Sequence, residues 1–355
     1  MMKFLEKNKV HLTSLVFISG FILDNFTLTR VDFFYDNLIL TGYLVIAFLA
    51  IVTLHISTKK HFGLSFKVFI NRWFPLLVQF AFGGLFSGYI IFYSRSGSFF
   101  ESWPFIIFLG FIIIGNELIK KRHLLEFQLA IFFIAVFSYS IFLVPVLLGK
   151  MGASVFLLSG FASFATFCFL LVILNHLSYI KAERIRFILI IIGILYLLFN
   201  LAYFTNIIPP IPLSPKEIGV YHSVTRLPDG SYSVAFEPDT RFLFFKEISK
   251  KFNRVSNEPV YVYSSVFAPI NLSTKILHRW NYYDENKAQW IVSSLVDFPI
   301  FGGRDGGYRG YSVKENTFPG KWRVDVITEQ GQLIERIKFK VVSTNIAPKL
   351  ETGLR

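Results

Sequence analysis

The chain of 355 residues is 53% hydrophobic and 18% aromatic, with a mean hydropathy of +0.52, which excludes an ordinary soluble enzyme and indicates an integral membrane protein. Its net charge of +13 divides into 16 Lys+Arg against 8 Asp+Glu up to residue 205 and 20 against 15 beyond it. Neither half is a basic stripe by count, so no nucleic-acid partner is expected. The single cysteine, Cys168, lies in an apolar run and excludes a disulfide framework or a cysteine zinc site.

Lys3, Lys7 and Lys9 precede the apolar run Val10–Leu23. This has the charge and length of a signal peptide but no A-x-A-like cleavage site, so it reads as a retained, short first span. Asn37–Ile56, Trp73–Tyr93, Pro104–Ile119, Phe127–Leu148, Ala153–Asn175 and Phe187–Phe204 bring the expected count to seven. The connecting segments alternate between basic and poor: Lys59, Lys60, Lys67 and Arg72 in one, Arg95 alone in the next, then Lys120, Lys121 and Arg122, then Lys150. Cytoplasmic loops retain Lys and Arg. The pattern predicts a multi-pass membrane protein with a cytoplasmic amino terminus and an extracytoplasmic carboxy-terminal domain.

The spans hold no central ionisable residue. Glu117 falls near a helix end with Lys120 and Lys121 three and four residues on, which argues against ion-coupled transport. Gly84 with Gly88, and Ser159, Gly160, Ala162, Ser163 and Ala165, predict close helix packing. The first outward loop gathers Asp24, Arg30, Asp32 and Asp36. Such a cluster can bind a lipid headgroup, act as acid and base, or form ion pairs that tie the spans together.

The segment Thr205–Pro215 ends the helical pattern, because Pro209, Pro210, Pro212 and Pro215 lack backbone donors and favour extended neighbours. The expected domains are a helical membrane domain over 1–205, a proline-rich linker over 206–215 and a soluble domain over 216–355. In the last, Trp322, Val324 and Val326 alternate with Lys321, Arg323 and Asp325, and after a turn at Gln330–Gln332 Ile337, Phe339 and Val341 alternate with Arg336, Lys338 and Lys340. That is a hairpin with one buried face. Thr274–Tyr283 and Lys287–Phe298 form a second hairpin; Ser231–Phe236, Val260–Phe267 and Tyr308–Lys314 add strands, while Phe242, Phe245, Ile248 and Phe252 suggest an amphipathic helix. The fold class expected is a multi-span α-helical membrane domain followed by an all-β, immunoglobulin-like antiparallel sandwich.

The stretch Gly302–Ser312 interleaves five glycines with Arg304, Asp305, Tyr308, Arg309 and Tyr311. Glycines expose backbone amides, arginine forks match carboxylate or phosphate, and tyrosines offer flat surface, so an anionic or sugar ligand is one reading. The closing Gly-Lys-Ser/Thr of a nucleotide-binding phosphate loop is missing. The other reading is a long glycine turn into an edge strand, with Arg304 and Asp305 pairing locally.

The run YVYSSVFAPINLSTKILHRWNYYD, followed by GGRDGGYRGYSVKENTFPGKWRVDVITEQGQLIERIKFKV, resembles the carboxy-terminal domain of the bacterial membrane-protein family known as domain of unknown function 2914. GFILDNFTLTRVD (Gly20–Asp32) and YSRSGSFFESWPF (Tyr93–Phe105) are similar to that family's membrane half. The resemblance implies the two-part architecture and a place in the bacterial inner (plasma) membrane, and brings no reaction or ligand. The function expected is therefore an envelope protein whose outer domain binds a glycan or a partner envelope protein. The alternative is a membrane-embedded enzyme acting on a lipid-linked substrate through the first-loop cluster. No catalytic residue, metal or cofactor is expected, and the lipid bilayer is the one partner implied throughout.

Overall fold

A computed structural model of the protein describes residues 24, 26–28, 30–59, 63–96, 103–111, 124–239, 247–248, 250–255, 258–303 and 306–355. The chain separates into two compact units, residues 1–95 with 99–208, and residues 209–355 with 96–98.

The first unit is helical: α1 (Phe34–Lys59), α2 (Leu64–Arg95), α3 (Leu125–Leu148), α4 (Ala153–Ser178) and α5 (Ala182–Phe204). All five are long and apolar enough to cross a membrane. They contain the apolar runs expected at 37–56, 73–93, 127–148, 153–175 and 187–204, each extended by up to about three turns of flanking residues. The expected span Val10–Leu23 and Glu117 lie outside the described residues. Of Pro104–Ile119, residues 104–111 are helical and the remainder lies outside.

Small residues set the helix spacing. A Cβ on Gly84 would lie 2.6 Å from the Tyr43 ring and one on Gly88 2.9 Å from the Leu40 side chain, so α2 meets α1 at van der Waals contact. Gly160 of α4 has the same relation to Tyr196 of α5, at 2.9 Å. Helix α3 runs through the middle, with Phe133 and Phe137 fully buried. Tyr89 donates to the Ala135 carbonyl at 2.9 Å, joining α2 to α3 by a hydrogen bond between apolar faces.

The second unit is β-rich. Its strands are β1 (Ser214–Tyr221), β2 (Ser223–Arg226), β3 (Tyr232–Phe236), β4 (Pro238–Asp239), β5 (Glu247–Ile248), β6 (Lys251–Arg254), β7 (Val260–Phe267), β8 (Ser273–Asp284), β9 (Gln289–Phe301), β10 (Tyr308–Lys314), β11 (Gly320–Thr328), β12 (Leu333–Ser343) and β13 (Glu351–Leu354). They form a five-stranded sheet ordered β6-β12-β11-β8-β9, two three-stranded sheets ordered β1-β7-β10 and β13-β3-β2, and the β4-β5 pair. Both predicted hairpins are present, β8–β9 and β11–β12, and both are antiparallel.

Alternation along β1 and β7 gives the middle sheet two apolar faces. Val220, Val260 and Val262 pack with Trp280, Trp322, Val324 and Phe339 of the five-stranded sheet. Tyr221 and Tyr263 face the other way and pack with Val224, Tyr232, Val234 and Phe236 of the β2–β3 hairpin. Trp280 and Trp322 are fully buried and meet edge to face at 6.4 Å.

Two local expectations are corrected. The amphipathic helix suggested by Phe242, Phe245, Ile248 and Phe252 is not formed at its described positions: Ile248 lies in β5 and Phe252 in β6, while Phe242 and Phe245 are outside the described residues. Strand β6 instead adds to β12 in parallel, opposing Phe252 to Val341, and Phe252 enters the tryptophan core. Long-range pairing has overridden a local period of 3.6. Asp325, expected on a solvated face, is 0% exposed. Its Oδ2 accepts from Arg279 Nη2 at 3.0 Å and its Oδ1 from Arg336 Nε at 2.5 Å, with Arg323 Nε at 3.3 Å. Three flanking guanidinium groups close over the carboxylate, and their stems exclude water from it.

Candidate functional site

The glycine-rich segment leads into β10, the edge strand beside β7. The approach is tightly packed. Gly302 donates to Leu272 O at 2.9 Å and Gly303 to Ala268 O at 3.1 Å. A Cβ on Gly302 would sit 1.7 Å from Pro269 O, and one on Gly307, whose φ is +80°, would meet Ser265 Oγ at 2.6 Å. Glycine is required at both positions by close backbone approach, independently of any ligand.

Pairing with β7 sends successive β10 side chains to opposite faces. Ser312, opposite Val262, turns towards the five-stranded sheet and binds His278, and Tyr308, four residues earlier and so in phase, shares that side, with its ring 6.5 Å from Phe301. Arg309, opposite Ser265, and Tyr311, opposite Tyr263, face the β2–β3 hairpin. The candidates are thus divided by the pleat: Arg309 and Tyr311 together, Tyr308 behind them. Arg304 and Asp305 lie outside the described residues.

The β2–β3 turn completes the site. Asp229 Oδ1 accepts from the Ser231 amide at 2.9 Å and the Ser231 hydroxyl at 2.6 Å, and Gly230 takes φ +83°. These bonds are the turn's own chemistry, an aspartate folding back on the chain two residues on. Arg226, Asp229, Gly230, Ser231, Gly306, Gly307 and Arg309 line an open cavity of about 340 Å³. The Ser231 hydroxyl and amide hold the Asp229 carboxyl below its ordinary range, with the Arg309 charge adding to them. Tyr311 stands beside Tyr232 and Tyr261, with centroids at 6.0 and 6.2 Å.

Two guanidinium groups, one acceptor carboxylate and the main chain of two glycine turns can seat a small anion with adjacent hydroxyls. Sequence reasoning missed Arg226, Asp229 and Ser231. The available signal was the Asp-Gly turn at 229–230, which marks a hairpin tip but not its neighbour in space.

The first-loop cluster is held together by its own contacts. Arg30 donates to both Asp32 oxygens, at 3.0 and 2.7 Å, and lies 4.5 Å from the Phe33 ring. Asp36 is buried and accepts from the Arg30 amide at 2.9 Å, while Arg95 donates to Leu28 O at 2.7 Å. Asp24 accepts through its carbonyl from Leu28 N at 2.8 Å. The structure brings Arg30, Asp32 and Asp36 together as a hydrogen-bonded loop clamp.

A Ser–His contact of catalytic length exists elsewhere, between Ser264 Oγ and His278 Nε2 at 2.7 Å. Ser312 Oγ occupies the other ring nitrogen at 2.8 Å and also accepts from Trp280 Nε1 at 2.9 Å. Burial pushes His278 down to about 3, and both Ser264 and His278 are sealed in the core. The network joins the middle sheet to the five-stranded sheet and offers no substrate access. Among the described residues, no group of three or more His, Cys, Asp or Glu side chains is arranged to hold a metal ion.

Residues 273–341 match the model of the family described as "Protein of unknown function (DUF2914)". The chain carries a DUF2914 domain. The matched stretch runs from the start of β8 into β12 and includes Arg309 and Tyr311, whereas Arg226 and Asp229 precede it. It contains all of the second carboxy-terminal run quoted above and neither of the membrane-side runs. The curated proteins gave no match. Among solved structures, the Pseudomonas fluorescens alkylpurine DNA glycosylase AlkC bound to DNA containing an abasic site analog aligns over 88% of this chain and 100% of that one. Identity is 9% and the TM-score 0.22, and a likeness at that level carries no argument.

Proposed function

We propose that the protein is a multi-pass protein of the bacterial inner membrane that holds its DUF2914 domain on the extracytoplasmic side and binds an acidic glycan of the cell envelope there. Five helices of spanning length among the described residues and the alternation of basic and poor loops support the membrane placement. The two sheets around Trp280 and Trp322 are read as an immunoglobulin-like sandwich without its disulfide, to which the β13-β3-β2 sheet is added. The observation that carries the binding function is the convergence of Arg226 and Arg309 on one cavity lined by turn backbone. An acidic sugar uses both parts of this arrangement: the carboxylate meets the guanidinium groups, and the ring hydroxyls meet Asp229 and the main chain.

The test is titration of the full chain in neutral-lipid nanodiscs with oligogalacturonate and with a neutral oligogalactoside of equal length. Arg226→Gln and Arg309→Gln should each weaken the acidic ligand at least tenfold and leave the melting temperature within a degree or two, as surface substitutions do. Undiminished binding in both variants, or losses that track unfolding, would remove the cleft from the proposal. A reporter fused at Arg355 and active only in the cytoplasm would remove the placement.

A further inference from the structure

Strand β1 begins at Ser214, ten residues after Phe204, the last residue of α5. Ten residues reach at most about 36 Å when fully extended, so the Ser214 end of the β-rich unit is tethered by that length to the last apolar helix. The register shows what else lies at this end: Ser214 opposes Phe267, and Ser273 opposes Phe301. Between β7 and β8 the chain makes a tight turn, in which Leu272 donates to Pro269 O at 3.1 Å and Asn271 takes φ +68°. Turn corners favour Gly, Pro, Asn, Asp or Ser. Here the corner presents Ile270, 54% exposed. Phe301, 59% exposed, is fixed beside it, because Gly302 and Gly303 donate to Leu272 O and Ala268 O. A Cβ on Gly303 would touch the Ile270 side chain at 3.7 Å. The Tyr308 ring lies 6.5 Å from Phe301, and the exposed Lys216 holds its ammonium 5.5 Å from the Phe267 ring.

We propose that this end of the β-rich unit docks on the outer leaflet of the bilayer, with Ile270 and Phe301 inserted among the upper acyl chains. The inference rests on the reading of α5 as a membrane span with the second unit outside. The tether is the first argument, since it holds the two exposed apolar side chains near a surface that can cover them. Their fixation is the second. Backbone pairing on both sides of the turn sets Ile270 and Phe301 next to each other before any contact, so little ordering remains to oppose insertion. The flanking side chains supply the third: a tyrosine and a lysine each join an apolar body to a polar tip, which suits the headgroup layer. Of the acids described at this end, Asp229 is folded onto Ser231 and Glu329 is engaged by Lys275 at 3.6 Å. Asp297 follows four residues before Phe301 on the same face of β9 and separates the anchors from Val292 and Leu295 farther along the strand.

The experiment places the full chain, one copy per nanodisc, in phosphatidylcholine brominated on the upper acyl chain and reads quenching of a thiol-linked bimane. Three positions are labelled singly: the native Cys168 in α4, and, with Cys168→Ser, either Ser273→Cys beside the anchors or Asn286→Cys at the far end of β8. Strand β8 separates the last two by roughly 40 Å. Cys168 and Ser273 labels should be quenched and the Asn286 label should not. Ile270→Glu/Phe301→Glu should reduce quenching at 273 to the level at 286, Ile270→Leu/Phe301→Leu should keep it, and Arg226→Gln/Arg309→Gln should leave it unchanged. A quenched Cys168 label with equal signals at 273 and 286 would overturn the docking and leave the membrane reading intact. An unquenched Cys168 label would remove the membrane reading and the docking with it. Quenching at 273 that persists in the Glu variant, or that appears only in discs holding two copies, would likewise overturn the proposal, the latter assigning the patch to a second copy of the chain.

Discussion

The helical and β-rich units bury hydroxyls and charges by different rules. In the helices, three buried serines are satisfied within one turn: Ser159 donates to Val155 O at 2.9 Å, Ser163 to Ser159 O at 2.6 Å and Ser178 to Leu174 O at 2.6 Å. In the β-rich unit the partners are distant in sequence. Ser264, His278, Trp280 and Ser312 form one buried network across three strands, and Asp325 draws Arg279 from 46 residues away. The contrast follows from the backbone. A helix offers carbonyls at i−4 to its own serines, whereas strand side chains stand clear of their own ladder and must find partners on neighbouring strands. The helical unit should therefore tolerate polar substitution one residue at a time, while the β-rich unit should lose whole networks.

The largest expected effect is at Asp325. Removing a buried carboxylate that neutralises three guanidinium groups leaves charge uncompensated, at about 3–5 kcal/mol. Asp325→Ala should lower the denaturation midpoint, followed by Trp280 and Trp322 fluorescence, by that equivalent. Asp229→Ala, on an exposed turn, should move the midpoint far less. Similar losses at the two aspartates would abolish the distinction between network and surface charge.

Two titrations of opposite sign test the networks next. His278 is lowered by burial from its ordinary 6.5 to about 3. The unfolded chain takes a proton in that window that the folded chain refuses, so stability falls as pH drops from 6.5 towards 3, by up to about 1.4 kcal/mol per pH unit. Glu335 is raised from 4.5 to about 7, first by burial and then by the Glu217 charge. The folded chain holds its proton, so this contribution is full below 4.5 and is lost as pH rises through 7, by about 3 kcal/mol at most. His278→Leu should flatten the acid limb and Glu335→Gln the neutral limb. Unchanged slopes in pH-dependent melting would show that neither group is buried in the state it occupies.

Much of this organisation was legible in the residues, and the omissions share a cause. The apolar runs and the alternation of Trp322, Val324 and Val326 locate helices and hairpins, because burial of one face is a local, periodic signal. The same alternation placed Asp325 outside, since one strand's period says which face a side chain takes but not what closes over it. Phe252 gave a helical period and joined a strand because β12 had an open edge beside it. At the candidate cleft, Arg309 and Tyr311 were named from composition, but Arg226 and Asp229 lie some 80 residues earlier and meet them only through the sheet stacking. The glycines that drew attention to the loop are accounted for at 302 and 307 by backbone contact, so the case for a ligand passes from the glycines to the arginines.

The smallest expected effect compares serines of equal burial. Ser159 and Ser312 are 0% and 2% exposed. Ser159→Ala removes a donor whose acceptor, Val155 O, keeps its second lone pair engaged by the helix ladder, so nothing is left unsatisfied and the change should stay within about 0.5 kcal/mol. Ser312→Ala deprives both His278 Nδ1 and the Trp280 indole of their partner in a sealed core. An orphaned buried donor costs about 1–3 kcal/mol, and the methyl that replaces the hydroxyl gains little, since the cavity is shaped for hydrogen-bond distances. The indole environment supplies an independent readout: loss of the bond to Ser312 should shift the Trp280 Nε1–H resonance, while Ser159→Ala leaves it in place. A destabilisation of Ser159→Ala matching that of Ser312→Ala would mean that burial alone, rather than where the hydroxyl finds its partner, governs both units.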